Sequence, residues 1–77
     1  MNILEQRVDK AQMGEVVQLN DITVPFMYVC FEMGIRCFTW RLWHRKDIKD
    51  TYSKKFPTLE LCKRNFIQKY GNFYIGA

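Results

Sequence analysis

The sequence lacks the features that mark membrane, secreted and linker segments. Its longest predominantly apolar run, Ile22 to Phe31, covers ten residues and contains Pro25, whereas a membrane-spanning helix needs about 20 residues. Glycine and proline together supply six of the 77 residues, too few for a linker or a collagen-like chain. Glu5 and Asp9 stand where a secretion signal would be basic, so we expect a cytoplasmic protein without a membrane partner.

The sequence also lacks the motifs of enzymes and metal-binding domains. It contains no glycine-rich phosphate loop, and its one histidine, His44, has no placed acidic partner. Cys30, Cys37 and Cys62 are spaced too widely for the short cysteine and histidine pairs of structural zinc sites. We therefore expect a protein without catalytic activity, cofactor or metal. Free thiols are favoured in a reducing compartment, although a Cys30–Cys37 disulfide stays open.

Composition and length indicate one small folded domain over residues 1–77. Apolar residues make up 48% of the chain and aromatic residues 16%, which is too hydrophobic for a disordered protein. The net charge of +4 divides into −3 for residues 1–34 and +7 for residues 35–77. Such a separation is typical of a protein that meets an anionic partner, but solvated basic side chains on a small domain would produce it as well.

Two helices are predicted, one near each end of the chain. Asn2 is placed to cap the first, and Gly14 is placed to end it. Its apolar stripe consists of Leu4, Val8 and Ala11. The second follows Pro57 and is capped by Thr58. Its stripe consists of Leu59, Cys62, Phe66, Ile67 and Tyr70.

Between the helices the apolar period changes to two, which indicates strands. Strands are predicted over Val16–Leu19, Ile22–Val24, Phe26–Glu32, Ile35–Arg45 and about Ile48–Phe56. The sequence thus predicts an α+β fold: an N-terminal helix, an antiparallel three- to four-stranded twisted sheet, and a C-terminal helix packed on one sheet face.

A two-residue turn at Met33–Gly34 would set the register of the long hairpin, although methionine suits its first position poorly and a longer or bulged loop stays open. Val29 then faces Phe38 on the inner, core side of the sheet, and Cys30 faces Cys37 on the outer side. The other inner positions are predicted to be Met27, Phe31, Trp40, Leu42, Ile48, Tyr52 and Phe56. A slip of one residue would exchange the two faces.

Basic side chains interleaved with aromatic ones are the main functional signal outside the predicted core. They follow the strand that contains Trp43, its turn, and the last helix. The candidate binding residues are Arg36, Arg41, Trp43, Arg45, Lys46, Lys49, Lys54, Lys55, Lys63 and Arg64. Lysine and arginine neutralise phosphates, and exposed aromatic rings stack on bases. Tryptophan and arginine are also favoured anchors of protein interfaces.

The stretch from residue 35 to residue 70 resembles the three-strands-then-helix pattern of AP2 and tyrosine-integrase N-terminal DNA-binding domains. Trp40-Arg41-Leu42, the strand end at Phe56, and the helix opening at Pro57 to Lys63 carry that resemblance. In those families the sheet enters the major groove. The resemblance implies DNA contacts from Arg36, Arg41, Trp43 and Arg45.

Two further resemblances concern element order and size. Ser53-Lys54-Lys55 before the last helix, together with the α-β-β-β-α order, is similar to double-stranded-RNA-binding domains. The small size and lack of catalytic motifs resemble accessory and inhibitor proteins of bacteriophages and mobile elements. We therefore expect a nucleic-acid-binding module that uses a basic and aromatic sheet face. The alternatives are a protein-binding inhibitor of host nucleic-acid-handling machinery, with a homodimer left open, and a structural subunit of a larger assembly.

Overall fold

A computed structural model describes residues 3–19, 27–44 and 50–70, which form two helices and a four-stranded antiparallel sheet. The elements are α1 (Ile3–Lys10), β1 (Val16–Gln18), β2 (Met27–Gly34), β3 (Cys37–His44), β4 (Thr51–Tyr52) and α2 (Leu59–Tyr70). The strand order is β1-β2-β3-β4, so the predicted α+β fold is confirmed. Neither described helix has the length and apolarity that a bilayer crossing requires. The predicted cap at Asn2 and strand at Ile22–Val24 lie outside the described residues.

Helix α1 is shorter than predicted, and a lysine from α2 bonds to carbonyl groups at its C-terminal end. The helix ends at Lys10 rather than continuing to Gly14. The Lys63 ammonium donates to the carbonyl oxygens of Asp9, at 3.2 Å, and Ala11, at 2.7 Å, which lie where a helix lacks internal donors. Gly14 instead adopts a φ of 81° in the turn that leads into β1, a conformation that glycine takes without steric cost.

The hairpin of β2 and β3 turns at residues 35–36, two residues later than predicted, so the predicted register is wrong. Val29 faces Leu42 instead of Phe38. The later turn lets all eight residues of each strand pair. Partners move by four positions, an even number, so each side chain keeps its predicted face. Val29, Phe31, Trp40 and Leu42 on the inner face are accordingly all buried.

The observed register also separates two cysteines that the predicted register brought together. Cys30 faces Arg41, and Cys37 faces Gly34 near the hairpin turn. Four residues along a strand correspond to about 13 Å, whereas a disulfide needs Cα atoms within about 7 Å. Cys30, Cys37 and Cys62 are all free thiols. Gly34 provides room at this point, since a Cβ there would lie 2.9 Å from the Cys37 sulfur.

An extra residue in the chain between Tyr52 and Phe56 changes which face these two rings occupy. Tyr52 pairs with Arg41, and Phe56 pairs with Phe38 in an isolated bridge. Three residues separate Tyr52 from Phe56, but only two separate their partners, as in a β-bulge. Phe56 therefore lies on the inner face as predicted, whereas Tyr52 lies on the outer face, so its predicted inner position is wrong. Ile48 lies outside the described residues.

Strand β1 forms one edge of the sheet, and a side chain from α1 bonds to it. The N–H of Leu19 donates to the carbonyl oxygen of Met27 in β2. In an antiparallel pair, consecutive residues direct their backbone N–H and C=O groups alternately toward the partner strand and away from it. Since those of Leu19 face β2, the carbonyl group of Gln18 points away from β2. The Arg7 guanidinium donates to that Gln18 oxygen at 2.9 Å. One backbone acceptor on the open edge is therefore occupied from within the chain.

The core lies between the inner face of the sheet and the two helices. It consists of Leu4, Val8, Ala11, Leu19, Val29, Phe31, Trp40, Leu42, Cys62 and Phe66. The last two are buried residues of α2 and belong to the stripe predicted for it. The predicted cap of α2 is confirmed as well, because the Thr58 hydroxyl accepts a hydrogen bond from the N–H of Leu61 at 3.2 Å.

Trp40 is the largest fully buried side chain and joins the sheet to α2. Its ring packs edge-on against Phe66, at 5.2 Å between centroids, and against Tyr70, at 5.4 Å. Its indole N–H donates to the Asn65 side-chain oxygen at 3.0 Å. A buried indole N–H needs such an acceptor, because leaving it unpaired costs the free energy of removing it from water.

We expect the change Asn65→Ala to lower the free energy of unfolding by about 1–3 kcal/mol, because it leaves the buried indole N–H of Trp40 without an acceptor. Urea denaturation measures this loss. Gln68→Ala on the exposed part of the same helix is the control, with an expected change within about 0.5 kcal/mol. Equal denaturation midpoints for the two variants would contradict this role of Asn65.

Burial raises the pKa of the Cys62 thiol from 9.0 to about 11, and a hydrogen bond with Ser53 opposes the shift. Because the folded-state pKa lies above the unfolded-state value, the associated stability is fully present below about pH 9 and is lost as the pH rises through about 11. The loss over this window is about 2–3 kcal/mol. Urea denaturation under reducing conditions should therefore show a steeper decline for the wild type than for Cys62→Ala. Parallel declines would contradict the shift.

Candidate functional site

The sheet face opposite the two helices, called the outer face here, is the candidate site. The register places these side chains on it: Val16, Gln18, Tyr28, Cys30, Glu32, Thr39, Arg41, Trp43 and Tyr52. Residues of α1 and α2 belong to the core on the other side. In the described parts of the chain, no helix covers this face. Val16 and Tyr52 keep more than half of their surface exposed.

Three aromatic side chains lie on the outer face across three strands. Tyr28 of β2 and Trp43 of β3 are cross-strand partners, and their rings stack with centroids 5.8 Å apart at an angle of 25°. Both are half-buried. Tyr52 of β4 is 59% exposed and pairs with Arg41. The face therefore offers aromatic surface at its centre and toward β4.

Arg41 lies at the centre of the outer face and is held by two carboxylates and one ring. Its guanidinium nitrogens lie 4.0 Å from a carboxylate oxygen of Glu32 and 3.6 Å from one of Asp50. Its guanidinium carbon is 4.6 Å from the centroid of the Trp43 ring. The Tyr52 hydroxyl donates to the same Asp50 oxygen at 3.3 Å. These contacts hold the guanidinium plane beside the aromatic rings.

The buried Nε atom of Arg41 has no hydrogen-bond partner among the described residues. Burial lowers the pKa of Arg41, but the Tyr52 hydroxyl and the carboxylates of Glu32 and Asp50 outweigh it, so the net shift is upward. Burial and Glu32 raise the pKa of the neighbouring Cys30 thiol despite the opposing effect of Arg41. Arg41 is therefore permanently charged, and Cys30 lacks the thiolate character that a nucleophile needs.

The structure does not bring all the predicted basic residues to this face. Lys63 and Arg64 lie on α2, which packs on the inner face of the sheet. Lys63 is bonded to the end of α1. Arg64 forms an ion pair with Glu60, with N and O atoms 2.8 Å apart. These two side chains are separated from Arg41 and Trp43 by the thickness of the sheet.

Three other predicted basic residues lie along one end of the sheet. Arg36 is exposed in the hairpin turn, and Lys54 and Lys55 are exposed in the segment that follows β4. This segment runs beside β3 between the Tyr52–Arg41 pair and the Phe56–Phe38 bridge, which places it toward the same end as the hairpin turn. The predicted residues Arg45, Lys46 and Lys49 lie outside the described part of the chain.

Sequence reasoning missed Tyr52, Glu32 and Asp50 as members of the site. Regular alternation through Phe56 predicts a core position for Tyr52, because it does not anticipate the bulge between Tyr52 and Phe56. The two carboxylates become neighbours of Arg41 only through pairing across strands and the approach to β4. The alternating pattern could have indicated Glu32, since it shares the parity of Cys30 on β2.

We expect the removal of Arg41 and of the Trp43 ring to be energetically coupled, because the guanidinium lies against that ring. A cycle of Arg41→Met, Trp43→Leu and the double variant should give a coupling free energy of about 0.5–1 kcal/mol in urea denaturation. The same cycle with Arg64→Met, which changes an arginine on the opposite side of the sheet, should be additive. Equal coupling in both cycles would contradict the contact.

Comparison with known proteins adds no family to this geometry. No protein-family model matches the chain, and no curated protein or solved structure matches it either. The resemblances to AP2, tyrosine-integrase and double-stranded-RNA-binding domains therefore rest on the sequence pattern alone. Function has to be inferred from the outer face itself.

Proposed function

We propose that this chain is a non-enzymatic binding protein whose outer face binds single-stranded nucleic acid. The observation that carries the proposal is a sheet face that no helix covers among the described residues. On it Trp43 contacts the charged Arg41, Tyr28 stacks on Trp43, and Tyr52 pairs with Arg41. Base stacking on aromatic side chains contributes about 1–3 kcal/mol per base and tolerates any sequence. An antiparallel sheet that presents such rings is one of the common ways in which proteins bind unpaired RNA bases.

The distribution of charge supports separate positions for bases and phosphates. Arg41 with Glu32 and Asp50 has a net charge of −1, so the centre of the face does not attract phosphates. The basic residues Arg36, Lys54 and Lys55 form no ion pair within the described residues. Bases would stack at the centre, and the phosphate backbone would follow the basic end and the β4 side.

The same arrangement favours single strands over duplexes. In a duplex the base faces are covered by their neighbours in the stack, and the rings of Trp43 and Tyr52 could not reach them. Arg41 then acts mainly by orienting the aromatic rings and by stacking its own plane on a base, since its charge is already compensated by carboxylates.

A second candidate function is protein binding, and the two carboxylates favour it. Glu32 and Asp50 beside exposed aromatic rings and an arginine would suit a partner with basic side chains. A protein of this kind would act as an inhibitor or accessory factor of nucleic-acid-handling machinery. The origin in a phage or mobile element stays part of this proposal.

The proposal is tested by fluorescence anisotropy with a labelled mixed-sequence oligonucleotide of about 12 nucleotides at about 50 mM salt. Wild-type protein should bind, with affinity that falls as salt rises. Trp43→Leu and Tyr52→Ala should each weaken binding about tenfold, which corresponds to the loss of about one stacked base. Leu61→Ala, which removes an exposed apolar side chain from α2, is the control and should bind like the wild type.

A further variant separates the two candidate functions. Glu32→Gln removes a negative charge from the outer face, so it should strengthen oligonucleotide binding by severalfold and should weaken a contact with a basic protein partner. Absence of oligonucleotide binding by the folded wild type at about 50 mM salt would contradict the first proposal. Equal losses in the Trp43, Tyr52 and Leu61 variants would contradict the location of the site.

A further inference from the structure

The hairpin turn between β2 and β3 contains residues that the fold itself does not favour. Arg36 has a φ of 56°, in the left-handed region that glycine and asparagine adopt most readily. Ile35 beside it is 93% exposed. A turn position with positive φ favours glycine or asparagine, and here Arg36 occupies that position. Turn geometry therefore does not account for an arginine at position 36, and core packing does not account for the exposed isoleucine beside it.

The turn presents apolar surface next to an available positive charge. Ile35 and Met33, which is 67% exposed, are two of the few large hydrophobic side chains exposed within the described residues. Arg36 forms no ion pair there. A strained backbone that holds exposed side chains in place is a reason to look for a binding role.

The position of the turn connects it with the outer face. From Trp43 the strand β3 runs back through Arg41 to Cys37 and the turn. Trp43 lies seven positions after Arg36, roughly 23 Å along an extended strand. Lys54 and Lys55 lie on the neighbouring segment between these two ends. Aromatic rings, lysines and the turn thus follow one another along one direction of the sheet.

We infer that the turn Ile35–Arg36 is the far end of a single-stranded nucleic-acid track that begins at Tyr28 and Trp43. This inference rests on the proposed function and adds the direction and length of the bound strand. Arg36 contacts a phosphate, and Ile35 packs against a sugar or base. A nucleic acid suits the turn because each nucleotide combines one negative charge with apolar surface, as the pair Ile35 and Arg36 combines apolar surface with a positive charge.

The test replaces the turn by one that suits the hairpin better. The double variant Ile35→Asn, Arg36→Gly should have a melting temperature at least as high as the wild type, because glycine fits the positive φ at position 36 and the Ile35 side chain is exposed. It should bind an oligonucleotide of about 12 nucleotides about tenfold more weakly. Its slope of log affinity against log salt should be smaller by about one, since one phosphate contact is lost.

Oligonucleotide length shows where the contact lies. An oligonucleotide of about four nucleotides covers the aromatic end only, so wild type and turn variant should bind it equally. Arg64→Gln on α2 is the matched control for the loss of an exposed arginine, and its affinity for the longer oligonucleotide should stay within twofold of the wild type.

The outcomes distinguish the inference from the function on which it rests. If the wild type binds neither oligonucleotide, the proposed function fails. If the wild type binds but the turn variant binds both lengths equally well, only the role of the turn is overturned. The role of the turn would also be overturned if the turn variant bound the short oligonucleotide more weakly than the wild type, or if it melted at a lower temperature. Ile35 and Arg36 would then contribute to the aromatic end of the site or to folding.

Discussion

The indole of Trp40 connects the two layers on which the structure depends. Its ring fills the space between β3 and α2, where it meets Phe66 and Tyr70, and its N–H is satisfied by Asn65. A chain of this length buries only a modest fraction of its surface, so few large side chains carry the packing. Because Trp40 anchors one face of β3 to the helix, the residues on either side of it, Thr39 and Arg41, necessarily point to the outer face.

The sequence pattern predicted the faces of the sheet but not its turn. The alternation of apolar and polar residues predicts core positions for Val29, Phe31, Trp40 and Leu42. An even shift of the strand register leaves each side chain on the same face, so this prediction holds in the observed register. The turn depends instead on contacts between distant residues: full pairing of both strands, the Phe38–Phe56 bridge, and the space that Gly34 leaves for Cys37. The glycine of Met33–Gly34 indicates a turn at that point, but methionine suits the first turn position poorly. The long-range contacts place the turn two residues later.

The distribution of positive charge could be predicted only in part for a similar reason. The ten candidate binding residues all lie between residues 36 and 64 of the sequence. In the fold, those that the structure describes make different kinds of contact. Lys63 bonds carbonyl groups at the end of α1, Arg64 pairs with Glu60, and Arg41 lies between two carboxylates. The pairing of Arg64 with Glu60 follows from their four-residue spacing on one helix. The partners of Lys63 and Arg41, in contrast, are brought near them only by tertiary packing and strand pairing. Arg36, Lys54 and Lys55 form no ion pair among the described residues, and the Lys54 ammonium lies 5.5 Å from the centroid of the Phe56 ring.

The bond from Arg7 to the Gln18 carbonyl has a consequence for the behaviour of the protein in concentrated solution. An open sheet edge is a template on which another chain can add a strand and begin aggregation. Strand addition to β1 would first have to displace a charged hydrogen bond of 2.9 Å. Through this bond helix α1 opposes the addition of another chain at β1, one edge of the described sheet.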